Sequence, residues 1–169
     1  MTFSVRRARE QDITSLPDIE VEARTRFSDS EMSPELREYR TPEHELRASH
    51  RDGLLWVAEV PGQGVVGFLA AETLERGLHV LQMSVHPSAG RRGIGTGLLS
   101  QVHREAKTRG LAHISLTTFT NIPWNAPAYS KCGFLALNSD QLTPALRGRL
   151  ANEIAAGLSN RVAMRKKAA

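Results

Sequence analysis

The chain has 169 residues, of which 40% are apolar and 24% charged, and this balance excludes a disordered or fibrous protein and predicts one globular domain over residues 1–169. The formal net charge of +4 leaves a nucleic-acid partner open, but acidic and basic residues are interleaved everywhere except at Arg165-Lys166-Lys167, so we expect no nucleic-acid binding. The single cysteine, Cys132, excludes an internal disulfide, and no apolar run is long enough for a membrane span or a signal peptide, so we expect a cytoplasmic protein without a membrane partner.

The N-terminal third carries start and stop signals for one strand and three helices. Asp12 is expected to cap the first helix, and Ser33 precedes a proline at the first position of the second. In chain order, the sequence predicts a strand over 3–7, a helix from Asp12 towards Phe27, a helix beginning at Ser33-Pro34-Glu35 and, after Thr41-Pro42, a polar helix ending near Gly53.

The middle of the chain reads as a hairpin, a buried strand and a long helix. Apolar runs over 54–60 and 65–74 flank the turn Pro61-Gly62-Gln63-Gly64, which is a hairpin signal. A third strand over 79–85 ends at His86-Pro87, because proline cannot donate to the ladder. After a turn rich in glycine and arginine, helical spacing begins at Thr96 and stops at Gly110.

The C-terminal part adds three short strands and two helices. We expect strands over 113–118, 134–137 and 161–165, a short helix before Cys132-Gly133 and a longer helix over 143–158. Helices that precede a hairpin-rich run of strands, followed by one strand–helix–strand crossover, predict an α+β fold with a mixed sheet.

The turn after the strand over 79–85 is a candidate anion site. A helix start directs its unpaired N–H groups and its dipole at the turn, and glycines at 90, 93, 95 and 97 lack the Cβ atoms that would hold a phosphate away. A P-loop would need Gly-Lys-Ser/Thr, which is absent, and a dinucleotide fingerprint would need glycine or alanine where Leu98 stands. The segment Gly90-Arg91-Arg92-Gly93-Ile94-Gly95 instead resembles the acyl-CoA loop of the GNAT acetyltransferases, although Gly90 stands where the family has Arg or Gln.

A second segment, 125–134, resembles the GNAT motif Ala-x-x-x-Tyr-x-x-x-Gly-Phe, in which the tyrosine lies beside the CoA sulfur. The resemblance implies that Tyr129 protonates the departing thiolate. The structural alternative is that Tyr129 is a buried aromatic residue whose hydroxyl donates a hydrogen bond to a carbonyl. It also implies a central mixed, mostly antiparallel sheet of about seven strands flanked by helices, with acetyl-CoA as cosubstrate. The cofactor-binding residues that it implies are Met83, Ser84, Val85, Gly90, Arg91, Arg92, Gly93, Ile94, Gly95, Thr96 and Asn125.

The general base is less well marked. Many relatives carry an acid just upstream of the Met83 position, where this chain has Leu81 and Gln82, and His79 is the candidate base. The alternative is that His79 faces water at the end of its strand.

We therefore predict an N-acetyltransferase that acts on a primary amine, more readily a small molecule than a protein, by direct attack, with no metal and as a possible homodimer. Two alternatives stay open: a non-catalytic acyl-CoA sensor, and a protein N-terminal or lysine acetyltransferase. For the wall of the acceptor pocket the candidates are Phe27, Tyr39, Trp56 and Trp124. The candidates for attracting a cationic amine are Glu20, Glu22, Asp29 and Glu31.

Overall fold

A computed structural model describes residues 2–169. Seven strands lie in one sheet in the order β1-β2-β3-β4-β5-β7-β6. The strands are β1 Ser4–Arg7, β2 Leu55–Val60, β3 Gly64–Leu74, β4 Gly77–Val85, β5 His113–Phe119, β6 Leu135–Ala136 and β7 Arg161–Lys167. The α-helices are α1 Leu16–Ala23, α2 Pro34–Arg37, α3 Glu43–Arg51, α4 Ile94–Thr108, α5 Ala126–Lys131 and α6 Pro144–Ala155.

The sheet is mixed, as the sequence predicts. β4 and β5 are parallel and are joined through α4, which is the crossover that a parallel pair requires. The pairs β1–β2, β2–β3, β5–β7 and β6–β7 are antiparallel. The predicted α+β class and seven-strand mixed sheet are therefore confirmed.

The chain contains two compact units. The first comprises the residues up to Glu72 together with Leu81–Val102. Its core is built from the inward residues of β2 and β3 and the apolar positions of α1 and α3, because both helices present one apolar face. The core side chains of this cluster are Ala8, Ile13, Leu16, Ile19, Leu46, Leu55, Val57, Phe68 and Ala70.

The second unit comprises Thr73–Val80 and His103–Ala169. Its centre is the seven-residue pairing of β5 with β7, from His113 opposite Lys167 to Phe119 opposite Arg161. β6 extends the sheet with two pairs. A single domain over residues 1–169 stays a prediction of the sequence.

The predicted elements are found, with shifts at their ends. Ser33 caps α2 through a 3.3 Å hydrogen bond from the Leu36 N–H, as expected. The expected cap at Asp12 is wrong: Arg9 occupies the cap of a 3₁₀ turn over Glu10–Ser15, and the Asp12 carboxylate accepts the Arg9 N–H at 2.7 Å. Capping works here in the reverse direction, because an acid in the third position of the turn satisfies the N–H of the cap residue.

One helix boundary near the C-terminus also differs. The last helix ends at Ala155 rather than near 158, because Gly157 adopts φ of 96° and stops the helical bonding. No helix in the described residues is both long enough and apolar enough to cross a membrane.

Candidate active site

The loop that follows β4 is compact and leads directly into α4. His86 ends the strand, and its Nδ1 accepts a hydrogen bond from the Ser88 N–H at 3.1 Å, which caps a 3₁₀ turn over Pro87–Ala89. Arg91 and Gly93 then adopt left-handed φ values of 63° and 80°. Left-handed residues in a short loop orient successive N–H groups towards a common side, and the first N–H groups of a helix have no acceptor within it. The loop is therefore suited to an anion.

The glycines of this loop differ in what their missing Cβ allows. Gly93 has open space around it and is required by its backbone conformation. A Cβ on Gly95 would lie 3.5 Å from Met83 Cε, which is ordinary contact. A Cβ on Gly97 would lie 3.0 Å from the Phe3 ring, which is closer than normal packing allows. Packing against Phe3, rather than approach to a phosphate, thus accounts for Gly97.

Gly67 of β3 anchors the end of β4 and the start of α4 at the same point. A Cβ on Gly67 would lie 3.1 Å from the Ser84 main-chain oxygen and 3.4 Å from both Val85 Cγ2 and Ile94 Cγ2. Ile94 and Ser84 are buried, and Ser84 Oγ accepts a 2.8 Å hydrogen bond from Gln82 Nε2. Of the other residues predicted to bind the cofactor here, Met83, Val85, Gly90, Arg92 and Gly95 are half-buried, and Arg91, Gly93 and Thr96 are exposed.

His79 lies at the point where β4 and β5 part. The register runs from Gly77 opposite His113 to His79 opposite Ser115, and the next residues, Val80 and Leu116, are not paired. His79 and Ser115 are each 2% exposed, and His79 Nδ1 lies 2.8 Å from Ser115 Oγ. Burial lowers the pKa of His79 to about 4, so the imidazole is neutral at physiological pH. The alternative of a water-facing histidine is therefore wrong.

Tyr129 is fixed by the short helix α5 and by the residues that follow it. Its main-chain N–H donates to Asn125 O, and its own carbonyl accepts from the N–H groups of Cys132 and Phe134. Its ring packs edge-on against the Phe134 ring at 6.0 Å. The residue as a whole is partly exposed, but the surroundings of its hydroxyl are buried, and this burial raises the pKa of the phenol to about 12. The phenol therefore keeps its proton throughout the physiological range.

Asn125 precedes α5 but does not cap it with its side chain. Its Oδ1 accepts a 2.7 Å hydrogen bond from Thr118 Oγ1 on β5, which attaches the start of the helix to the strand. Ile122, in the loop between β5 and α5, is buried.

A polar cluster beside β5 was not anticipated from the sequence. Glu153 of α6 accepts hydrogen bonds from Thr117 Oγ1 at 2.6 Å and from Arg161 Nε at 2.8 Å. Arg161 Nη2 also donates to Thr117 Oγ1 at 3.2 Å, and its guanidinium lies 4.5 Å from the centre of the Phe119 ring. The only sequence signal was the alternation of Ser115 and Thr117, two polar residues on one face of a buried strand.

The candidates for the acceptor pocket differ in how exposed their side chains are. Trp56 is 2% exposed within β2 and belongs to the core, whereas Tyr39 is 51% exposed. The Glu20 carboxylate is fully buried and accepts hydrogen bonds from the Thr41 N–H and Oγ1, both at 2.6 Å, and from Arg24 at 3.0 Å. Glu20 thus ties the chain at Thr41 to α1 instead of presenting a charge to solvent.

Within residues 2–169, no group of three or more His, Cys, Asp or Glu side chains is arranged to hold a metal ion. Within the second unit, His79 is a neutral imidazole and Tyr129 is a protonated phenol.

Solved structures share this fold. PaiA N-acetyltransferase from Thermoplasma acidophilum in complex with coenzyme A aligns with a TM-score of 0.73 at 18% identity, over 99% of each chain. N-acetylglutamate synthase from Neisseria gonorrhoeae, complexed with coenzyme A and N-acetyl-glutamate, aligns at 0.71 and 18% identity over 100% of this chain but 36% of its own. The ribosomal-protein-S18-alanine N-acetyltransferase from Escherichia coli aligns at 0.66 and 14% identity, over 99% of this chain and 95% of its own.

The family model of the GNAT acetyltransferases matches residues 14–134. This segment contains the glycine-rich loop after β4, His79 and Tyr129. Because the match extends over more than half of the sequence, the chain belongs to the GNAT family of acetyltransferases.

Proposed function

We propose that this protein transfers the acetyl group of acetyl-CoA to a primary amine, with a small molecule as the acceptor, by direct attack of the amine on the thioester. The observation that carries the proposal is the loop with left-handed Arg91 and Gly93 at the start of α4, within the segment that matches the acetyltransferase family. When bound, acetyl-CoA supplies the activated acetyl group.

The loop supports binding of the CoA diphosphate by main-chain groups. The first-turn N–H groups of Ile94 and Gly95 have no acceptor within the helix and coincide with the positive end of its dipole. Arg91 adds an exposed cation. The edge of β4 at Met83 and Val85 offers main-chain groups to an amide-bearing arm, in the manner of an added strand.

The titrating groups fit acid–base catalysis of the transfer. His79 is neutral, its Nδ1 is engaged by Ser115, and in our proposal it receives the proton of the attacking amine directly or through water. Tyr129 keeps its proton and donates it, or a hydrogen bond, to the departing sulfur. A phenol whose pKa is raised to about 12 is a weak acid, so stabilisation of the thiolate by a hydrogen bond is its main contribution.

Replacing Tyr129 by phenylalanine tests this mechanism. We expect kcat to fall by about 10²-fold or more, because one positioned donor to developing charge is worth roughly that factor. The affinity for CoA, measured by calorimetry, should stay within about twofold of the wild-type value, because we propose that the loop before α4, and not Tyr129, binds the diphosphate.

The chain offers a matched control, since it contains two tyrosines and the other, Tyr39, is exposed. Tyr39 is also a candidate for the acceptor-pocket wall, but Tyr39→Phe keeps the aromatic ring and removes only the hydroxyl of a residue that is 51% exposed, so kcat should stay unchanged. Equal turnover of Tyr129→Phe and the wild type would remove Tyr129 from the mechanism, and the lack of any CoA release with every amine offered would favour the sensor alternative.

An acceptor screen tests the substrate class. The N-acetyl-glutamate bound in the synthase from Neisseria gonorrhoeae supports a small acceptor, and the ribosomal-protein acetyltransferase represents the competing class. A panel of free amines and amino acids should yield higher kcat/KM than peptides with free N-termini or lysines. Higher kcat/KM with the peptides than with the free amines would contradict a small acceptor and favour protein acetylation. A cytoplasmic location and a homodimer stay predictions of the sequence.

A further inference from the structure

The side chains of His79 and Ser115 meet at the last paired position of β4 and β5. The parallel register begins with Gly77 opposite His113 and ends with His79 opposite Ser115. Nδ1 of the imidazole lies 2.8 Å from the serine Oγ, which is a normal hydrogen-bond distance. Both residues are buried, so water does not compete for either side of this bond.

The hydrogen bond explains why a serine occupies position 115. Its neighbours Ile114 and Leu116 are buried apolar residues in the middle of β5. A buried hydroxyl that makes no hydrogen bond costs free energy, so packing alone would favour an apolar residue here. Among the side chains of residues 2–169, the imidazole of His79 is the hydrogen-bond partner of this hydroxyl. The contact with His79 therefore stabilises a polar group at this depth.

This hydrogen bond has two possible directions, and each leaves a different ring nitrogen available. A neutral imidazole carries one N–H, and the partner of one nitrogen determines which nitrogen holds the proton. When Nδ1 holds it, Nδ1 donates to Ser115 Oγ and the lone pair of Nε2 can accept a proton. When Nε2 holds it, Ser115 donates to Nδ1 and the imidazole has no lone pair left for an amine. Only the first direction is compatible with a base.

We propose that Ser115 is a positioning residue for acetyl transfer, whose Oγ accepts the Nδ1–H of His79 and thereby makes Nε2 the basic atom. The inference rests on the proposed role of His79 as the base. The proton that leaves the attacking amine binds to the lone pair of Nε2, while Nδ1 keeps its own proton. The imidazolium donates to Ser115 Oγ as the neutral ring did, so this contact does not reorganise during the step.

The sheet supplies the rigidity that a positioning residue needs. Ser115 is paired on both sides, with His79 of β4 and with Arg165 of β7. Main-chain pairing thus fixes the strand on which the hydroxyl is carried, and groups on strands are held more precisely than groups on loops. The serine Oγ has three staggered positions at most, and one of them faces Nδ1.

Nitrogen-15 NMR at neutral pH tests the inference, because it distinguishes a protonated ring nitrogen from an unprotonated one. The chain has six histidines, and the spectrum of His79→Gln identifies the signals of His79 by their loss. In the wild-type protein we expect a protonated Nδ1 and an unprotonated Nε2. The reverse pattern would overturn the inference without any measurement of turnover.

Substitutions at Ser115 test whether the hydroxyl determines the tautomer. In Ser115→Ala the proton should move in part to Nε2, which is the nitrogen that holds it in histidine free in water. We expect kcat to fall about tenfold, a part of what general base catalysis contributes. Ser115→Thr keeps the hydroxyl and should retain the protonated Nδ1 and most of the turnover.

A second buried serine provides the matched control. Ser49 of α3 is buried, and its Oγ donates to the Ala71 carbonyl oxygen at 3.0 Å. Ser49→Ala therefore removes a hydrogen-bonded hydroxyl of the same kind at a position without a proposed role in the reaction. It should leave the signals of His79 and kcat unchanged.

A purely structural Ser115 gives a different result. Ser115→Ala would then lower the stability of the fold but leave Nδ1 protonated, and this outcome overturns the inference. Where Ser115→Ala folds poorly, the wild-type and Ser115→Thr spectra decide, because both must show a protonated Nδ1.

Failure of the proposed function is distinguishable from failure of this inference. Full turnover by His79→Gln would remove the base from the mechanism, whereas the tautomer is observed without any substrate. If His79→Gln is inactive and Ser115→Ala combines a shifted tautomer with full turnover, the base stands and the positioning role of Ser115 is refuted.

Discussion

Acidification from about pH 7.5 to about pH 5 is expected to remove about 2 kcal/mol from the free energy of unfolding through His79 alone. In the unfolded chain this histidine takes up its proton near the ordinary pKa of 6.5, whereas in the folded protein burial delays protonation until about pH 4. Between these values the unfolded state binds more protons. Falling pH therefore favours unfolding, and the stabilisation that is complete above pH 6.5 is lost as the pH approaches 4.

The magnitude follows from the separation of the two pKa values. A shift from 6.5 to about 4 corresponds to about 3 kcal/mol when the pH falls through the whole window, and about two thirds of this is lost by pH 5. The cause is the environment at the parting of β4 and β5, where His79 is 2% exposed and has Ser115 as its hydrogen-bond partner.

Urea denaturation at the two pH values measures the effect, with His79→Gln as the control. Glutamine does not titrate and can still bond to Ser115 Oγ, so the variant should lose about 2 kcal/mol less than the wild type over the same interval. Burial also lowers the pKa of His113, but this contribution is present in both proteins and cancels. Equal losses in the two proteins would refute the assignment of a buried, neutral imidazole at position 79.

Substitutions at three positions outside the proposed acid and base test the packing and the loop. Gly77→Ala should destabilise the fold by about 1–3 kcal/mol, because the new Cβ would lie 2.5 Å from the His113 carbonyl oxygen. Gly148→Ala should stabilise the fold by about 0.5–1 kcal/mol, because Gly148 lies inside α6 with open space around it. If the urea midpoint shifted in the same direction in both variants, the packing described for Gly77 and Gly148 would be contradicted. Arg91→Gly should stabilise the fold by about 1 kcal/mol by relieving a left-handed φ, yet weaken CoA binding severalfold by removing a cation. Arg91→Lys keeps both strain and charge, and calorimetry showing equal CoA affinity for Arg91→Gly and Arg91→Lys would exclude the cation from the site.

The elements could be predicted because their signals are local. Pro61-Gly62-Gln63-Gly64 marks the hairpin, and Gly110 with φ of 69° ends α4 where the sequence places its end. Asp12 shows the limit of such signals. The same carboxylate can cap a helix or accept the N–H of the residue before a 3₁₀ turn, and its ion pair with Arg6 favours the second arrangement.

The sequence by itself determined the family resemblance, the order of the strands along the chain, and the loop and tyrosine segments, because these depend on residue types at fixed spacing. Only the tertiary structure decided that His79 is buried against Ser115 and that Glu20 accepts hydrogen bonds from Thr41. The same holds for the ion pair of Glu153 with Arg161 beside Thr117. Burial and ion pairing are properties of residues that are distant in the chain and adjacent in space. They set the pKa values on which acid–base chemistry depends, and no local pattern encodes them.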